Sequence, residues 1–439
     1  MSSIKLQDPY YVEVVSAVLT TSDGGKFVNL KDYLLSISIV EDIYSHFIHC
    51  ELNIYDHNSI STNFPLIGEE YFQITFYTDK QEQTTYNFLM YKNIAGGFSD
   101  TNKMQYYTLV GVSIDKVIDS GLSISKSYSN LSYASIVDKI FNDYFSKLNK
   151  RIFIEPTKGI QKFIVPGLSP FQAIELCKRR SIPVKEPYSP YLFFQNQNGF
   201  FYTSFDGLYK SASASDSTRT LHSFVQKLPR SDIEERSVSP LDNLTLGDNS
   251  INDVISFDVV EKYNTIDKIK NNAFYGTARY FDITTKSFSV KEFNINKYKN
   301  NYTLGNSGGE FNTGSFINNF LNAKSTGPLI PVDSARVYDG STIDYLPDAY
   351  SSMQAYAELM IQERINVNIY GDNKMKAGDR FNFGAILPNG KLDPTVGGSY
   401  LISTVKHLIT FDTQPRYINS LECIRGSFMM PIGEIVNAR

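Results

Sequence analysis

The sequence predicts a mainly β protein with an α+β insertion: two similar antiparallel β-barrel domains flanking a mixed α+β domain. Three observations lead there. Of 439 residues, 30 are Tyr and 30 are Phe, with no Trp, and an aromatic chain also rich in Asn, Ser, Thr and Ile suits pleated, half-buried strands. Strand-like runs dominate both ends, while helical spacing is concentrated in the middle and in one late segment. Finally, LNIYDHN at 52–58 returns far downstream as VNIYGDN at 367–373. A chain this long exceeds one ordinary core and implies about three domains. The predicted divisions are a first barrel at 1–118, an α+β unit with a C-terminal linker at 119–240, and a second barrel at 241–439.

Residues 34–55 show period-two alternation, with Leu35, Ile37 and Ile39 assigned to one side, and a bend near Glu41-Asp42. DHNSISTN then opens a turn or short helix, and YFQITFY, TYNFLMY and MQYYTLVGVSI follow as further strands. Ser132 is placed to cap a helix whose apolar positions are Ile136, Val137, Ile140, Phe141, Tyr144, Phe145 and Leu148. Ser169-Pro170 starts a second helix, FQAIELCKRR, with Phe171, Ile174 and Cys177 inward. YLFFQNQNGFFYTSF reads as a hairpin, because Asn198-Gly199 tolerates the positive φ of a type I′ turn. The tract from 211 through PRSDIEERSVSPLDNLTLGDNS is too poor in apolar residues to form much core and reads as a linker. VISFDVV and AFYGTARYFDI resume strand character. An Asn/Gly/Ser-rich surface insertion follows around 295–345, and the helix YSSMQAYAELMIQERI leads into the second copy of the phrase.

The repetition extends past one motif. Asn53-Ile54-Tyr55 matches Asn368-Ile369-Tyr370, and Gly68-Glu69-Glu70-Tyr71 matches Gly378-Asp379-Arg380-Phe381. TYNFLMYKNI and MQYYTLVGVSI then find counterparts, in the same order, in SYLISTVKHLI and RYINSLECIRG. This is the signature of a duplicated domain. Asp56 and Gly371 are accordingly assigned as turn residues, with Gly68 and Gly378 launching the next strand.

His46, His49, Cys50, Asp56 and His57 crowd one stretch, but zinc needs about four converging ligands. Strand alternation separates these side chains, and the second copy carries no His or Cys at the matching positions. No metal site is assigned. The sequence lacks GxSxG, HExxH, a CxxC pair and a phosphate-binding GxxxxGK[ST], and its five histidines accompany no nucleophile motif. Glu69-Glu70 and Glu234-Glu235 are read as solvated pairs rather than glycosidase carboxylates, and Lys178-Arg179-Arg180 as a solvated helix terminus. No catalytic residue and no cofactor are predicted.

The net charge of -4, from 42 basic and 46 acidic side chains, marks no nucleic-acid or anionic-membrane binder. Cys50, Cys177 and Cys423 are odd in number and widely spaced, which argues against a disulfide framework and fits a reducing compartment. The N-terminal MSSIKLQDPYYVEV lacks the features of a signal peptide, and no apolar run approaches a membrane helix. A soluble chain without membrane insertion is expected.

The order of elements resembles the baseplate central hub proteins of contractile-tailed bacteriophages, the T-even hub type, related in design to the base of type VI secretion spike proteins. The segments carrying the resemblance are PLIGEEYFQITF after the Tyr55-Asp56 turn, SISKSYSNLSYASIVDKIFNDY, VPGLSPFQAIELCKRR, INVNIYGDNKMKAGDRFNF and GGSYLISTVKHLI. They span nearly the whole chain. The 295–345 insertion departs from a minimal hub. The resemblance implies tail-tube-like barrels and a homotrimer whose three chains present six similar units. Such a ring adapts a sixfold tail tube to a threefold central spike and lines the channel for DNA ejection. It implies as partners the central spike, a tail tube or tube-initiator protein, baseplate wedge proteins, and the tape-measure protein and DNA passing through the lumen. The location would be the virion tail baseplate, assembled in the host cytoplasm. Two other readings stand beside it: a receptor- or glycan-binding tail protein, and a cell-wall hydrolase.

Overall fold

Seven strands build the N-terminal half of one large sheet: β1 (Val12–Thr20), β2 (Phe27–Asn29), β3 (Leu34–Asp42), β4 (His49–Asp56), β5 (Tyr71–Thr78), β6 (Gln83–Ser99) and β7 (Met104–Val112). They pair in the order β3-β4-β7-β6-β5-β1-β2. The computed structural model describes residues 9–58, 60–64, 66–78, 83–99, 104–210, 221–226, 253–282, 285–302, 311–314, 326–332, 346–387, 393–412 and 414–427. Alternation does its work in β4, where Cys50, Leu52 and Ile54 face the core while Glu51 and Asn53 face out. In β3 a bulge between Leu34 and Ser36 interrupts the alternation. Leu35 is therefore exposed and does not share a face with the buried Ile37 and Ile39, as period two alone predicts.

The middle of the chain is α+β. Helix α1 (Ile114–Gly121) follows β7, so the strand expected to run through MQYYTLVGVSI stops at Val112. Then come β8 (Ile124–Leu131), α2 (Tyr133–Phe145), β9 (Ile152–Ile154), β10 (Gln161–Leu168), α3 (Pro170–Lys178), β11 (Tyr191–Asn196), β12 (Gly199–Ser204) and α4 (Phe205–Lys210). Ser132 caps α2, accepting a bond from the Ser135 amide. Ser169 and Gln172 form a reciprocal capping box on α3, with Pro170 in the first turn. The predicted apolar faces of both helices pack with Phe193, Phe200 and Tyr202 in one core. The β11–β12 hairpin forms, but Asn196 pairs with Gly199, so the loop is Gln197-Asn198, and the positive φ (135°) falls on Gly199 instead of a type I′ pair. A Cβ there would meet the Arg151 carbonyl oxygen at 2.4 Å, which explains the glycine.

The C-terminal part contains β13 (Leu221–Gln226), β14 (Asp253–Lys262), α5 (Thr265–Lys270), β15 (Tyr275–Asp282), β16 (Ser287–Asn294), β17 (Thr326–Val332), α6 (Leu346–Met360), β18 (Glu363–Tyr370), β19 (Arg380–Gly384), β20 (Gly398–Phe411) and β21 (Pro415–Arg425). Leu221–Gln226, inside the predicted linker, is strand β13 and not a connection, because it pairs with β14 and β19. The rest of that tract, Glu234-Glu235 and most of the 295–345 insertion lie outside the described residues. Here the order is β14-β18-β21-β20-β19-β13, and β13 pairs with both β19 and β14, so the ladder closes on itself. β20 also pairs antiparallel with β3, joining the halves into one 13-stranded sheet. The protein is thus mainly β, dominated by this sheet. β15, β16 and β17 form a separate three-stranded sheet packed against α6.

Candidate functional site at the junction of the two sheet halves

The two halves carry the same ladder over most of its length; β14 shifts once more between Val259 and Glu261, and β6 between Ala95 and Phe98, where the other half has no shift. β4 pairs with β3 and β7, and β18 pairs with β14 and β21, all antiparallel. Asn53 stands between Ser36 and Thr108, and Asn368 between Ser256 and Ser420. The Asn53 amide donates to Ser36 Oγ at 2.8 Å, and the Asn368 amide to Ser256 Oγ at 2.9 Å. Irregularities coincide as well. β3 shifts register between Leu34 and Ser36, and β14 between Val254 and Ser256. β6 shifts against β7 between Met90 and Lys92, and β20 against β21 between Ile402 and Thr404. Bulges re-aim and coil a strand at a defined place, so their coincidence means equal curvature at equal positions.

Against this frame the four assigned turn residues take up distinct geometries. Asp56 is buried at the end of β4, and its Oδ1 accepts bonds from the amides of Asn58 (3.1 Å) and Ile60 (3.0 Å), the pattern of an Asx turn. In the second copy that pattern moves one residue on: Asp372 Oδ1 accepts from the Lys374 amide at 2.9 Å. Gly371 has no positive φ. A Cβ on it would lie 2.0 Å from the Tyr417 ring, and its amide donates to the Tyr417 carbonyl at 3.0 Å. Asp56 faces Gln105 at the matching rung, so the glycine accommodates the larger Tyr417. Gly68 and Gly378 have φ of 90° and 92°. Each precedes a backbone bond from β6 or β20: Met90 N–H to the Glu70 carbonyl (2.8 Å) and Ile402 N–H to the Asp379 carbonyl (2.9 Å). Glu69 and Glu70 are not a solvated pair. Glu70 is buried, and its carboxylate accepts from the amides of Ile67 and Gly68.

Where β20 meets β3, buried polar groups tie three parts of the chain together. Glu41 is fully buried; its Oε1 accepts from the Gln197 amide (2.9 Å) and its Oε2 from the Ala377 amide (3.3 Å), with the Tyr86 hydroxyl 3.4 Å away. One carboxyl thereby spans the β11–β12 hairpin, the loop before β19, and β6. Burial pushes its pKa up to about 7, against the pull of nearby Lys376. His407, on β20, shares a hydrogen bond of 2.6 Å with the Tyr417 hydroxyl. Burial, aided by Lys376, lowers its pKa to about 4. Asn373 donates to Thr84 Oγ1, and Asn196 to the Ala377 carbonyl. His222 on β13 faces Asp379 at 3.2 Å, both buried. Ile409 and Tyr417 belong to the core of the N-terminal half, so the junction is apolar as well as polar. These groups face other parts of the same chain, and chemically the arrangement holds segments together. Sequence reasoning noted only a bend at Glu41. Its signal was an acidic residue continuing the inward row of Ile37 and Ile39.

The histidines and cysteine of the first copy disperse. His46 packs on Phe171 and Phe193 and pairs with Glu175, His57 stacks on Tyr33, and Cys50 is buried in the core. Among the described residues no group of three or more His, Cys, Asp or Glu could hold a metal ion, and no helix is long and apolar enough to cross a membrane.

No protein-family model and no curated protein matches the sequence. Solved structures do resemble the fold. The 43 kDa tail protein of prophage MuSo2 from Shewanella oneidensis superposes with a TM-score of 0.52 at 10% identity, covering 94% of this chain and 98% of that one. The tail protein from Neisseria meningitidis MC58 gives a TM-score of 0.51 at 8% identity, covering 93% and 96%. At these identities the likeness is one of fold. The structural neighbours of this chain are phage tail proteins, the class its sequence resembles.

Proposed function

We propose that this protein is a structural, non-enzymatic hub of a phage tail baseplate. Each half of the large sheet acts as one tail-tube-like barrel domain, at 1–118 and 241–439, the second completed by β13 (Leu221–Gln226) from the end of the 119–240 unit that separates them. Asp56, Gly68, Gly371 and Gly378 serve as structural turn and close-packing residues of the duplicated barrel. Three copies form a ring of six similar units, which matches a sixfold tail tube on one side and a threefold central spike on the other. The contacts in such a ring run head to tail and close by rotation. The lumen passes the tape-measure protein and then DNA, wedge proteins bind outside, and the assembled protein resides in the virion.

The observation that carries this reading is the register-matched duplication, in which a bulge recurs at two matched positions. A ring built from two equivalent units per chain needs those units to present the same curved ladder, and nothing in a single-site enzyme requires it. The likeness in fold to phage tail proteins supports the same conclusion. Light scattering and negative-stain class averages of the purified full-length chain test it: a threefold particle with a sixfold-looking wall is expected. A compact monomer at high concentration, with or without a threefold spike protein, would overturn it.

A further inference from the structure

The junction between β20 and β3 is repeated once more in each chain, with its partner missing. β20 uses the side away from β21 twice, pairing with β19 at Gly398–Leu401 and with β3 at Thr404–Thr410. β6 is the counterpart of β20. On the side away from β7 it pairs with β5 at Gln83–Leu89, and beyond that no strand lies on this side among the described residues. β14 is the counterpart of β3. On the side away from β18 it meets β13 only at Asp253 and Val254, and from Ile255 to Glu261 it has no further strand there among the described residues.

Burial marks both stretches as uncovered. Tyr91 and Asn93 are exposed, whereas the matching Ser403 and Val405, under the β3 junction, are buried. Val259 is 41% exposed, whereas the matching Ile39 is 0%. Val260 (52%) and Ile94 (45%) add two more large apolar side chains to these edges. An edge strand with apolar side chains is a template for another strand.

We propose, resting on the ring reading above, that β6 of one copy pairs antiparallel with β14 of the next, reproducing between chains the β20–β3 ladder within each chain. The internal ladder sets the register. His407 stands opposite Ile39, and the counterparts of those residues are Ala95 and Val259. Ala95 of one copy therefore stands opposite Val259 of its neighbour. The occupant is a second copy of this chain because β14 repeats the first bulge of β3 and its spacing from Ser256 to Val259, the stretch that matches Ser36 to Ile39, before a second shift of its own between Val259 and Glu261. The open edges of β6 and β14 are then both covered only when the ring closes.

Opposed residues in an antiparallel pair bring their Cα atoms to about 4.5–5.5 Å, within disulfide range. The test is the full-length Ala95→Cys/Val259→Cys chain oxidised with diamide, beside an Ala95→Cys/Val290→Cys control that places the second thiol on β16. The native Cys50, Cys177 and Cys423 are all buried. The first variant is expected to give a covalent trimer on non-reducing gels, and the control a single chain. Single Ala95→Cys and Val259→Cys chains, mixed, should link only as a covalent dimer, and neither alone should link; this arm survives if the double variant folds poorly. A threefold particle whose 95/259 pair does not link overturns this pairing and leaves the ring intact. A chain that remains monomeric overturns both.

Discussion

The two halves of the sheet share a backbone and differ in what fills it. At the rung where β4 and β7 end, the N-terminal half has Ile48 opposite Ser113, whose hydroxyl donates to Gln195 Oε1 at 2.8 Å in the β11–β12 hairpin. At the matching rung the C-terminal half has Glu363 opposite Arg425. Arg425 Nε is 2.7 Å from Glu363 Oε2, the other guanidinium nitrogens reach the carbonyls of Gly397 and Thr395, and the group lies over the Tyr400 ring. Asp56 against Gln105 and Gly371 against Tyr417 repeat the lesson. β1 runs antiparallel to β5, whereas β13 runs parallel to β19. The ladder is preserved because bulges and alternation set its curvature, and each rung's side chains answer to whatever packs against it locally.

The largest separation between the halves should appear at that rung. Arg425→Ala leaves the buried Glu363 with only Lys262, 4.0 Å away, in place of its hydrogen-bonded guanidinium, and is expected to cost about 3 kcal/mol. Ser113→Ala removes one neutral hydrogen bond and is expected to cost about 1 kcal/mol. Urea unfolding of the two variants checks this, and equal costs would mean that the rungs are loaded alike. Replacing both Glu363 and Arg425 with Met should recover most of the loss, since the apolar pair leaves no uncompensated charge.

A second contrast lies across the junction, between Glu41 from the N-terminal half and His407 from the C-terminal half. Glu41 titrates near 4.5 when unfolded and about 7 when folded. Through that window only the unfolded chain has released the proton, so stability falls as pH rises and is level above about 7. His407 titrates near 6.5 when unfolded and about 4 when folded. As pH falls through that window only the unfolded chain takes up a proton, so stability falls with falling pH. Each effect is worth about 3 kcal/mol in full, and they oppose each other where they overlap, between pH about 4.5 and 6.5. Relative to the parent, Glu41→Gln should gain stability as pH rises through this interval, and His407→Gln should lose it. Thermal or urea midpoints across pH 4–8 report the slopes, and parallel profiles for parent and both variants would remove this account.

Much of this was legible in the sequence. Alternation and turn residues gave the strands, and Ser132 and Ser169-Pro170 gave the helix starts, because these signals are local. The duplication was legible because the repeated phrase sits at strand ends, where turn geometry restricts residue choice. Other features were not. The bulge that exposes Leu35 depends on what β3 pairs with, and the burial of Glu41 and Glu70 depends on backbone amides that arrive from elsewhere in the chain or from a neighbouring turn. Gly371 looked like a turn glycine, and only the Tyr417 ring beside it shows that it relieves crowding. The open edges of β6 and β14 are properties of pairing and have no residue signature.

The smallest expected effect is also the most direct check that the halves are copies. Asn53 and Asn368 occupy the same rung on the outer face, each donating to a serine one strand away. Asn53 additionally accepts from Thr108 Oγ1 at 2.7 Å, where the second copy has Ser420. Exposed cross-strand pairs of this kind contribute about 0.2–1 kcal/mol. Asn53→Ala and Asn368→Ala should therefore each cost about 0.5 kcal/mol, with Asn53 slightly the larger for its second bond. Ser36→Ala should abolish most of the Asn53 cost in a double-mutant cycle, and Ser256→Ala most of the Asn368 cost, because each pair is one interaction. Crossing the partners, Asn53 with Ser256 and Asn368 with Ser36, should give simple additivity. A coupling that appears in one half and not in the other would show that the copies share strand order but not the hydrogen bonds across the rung.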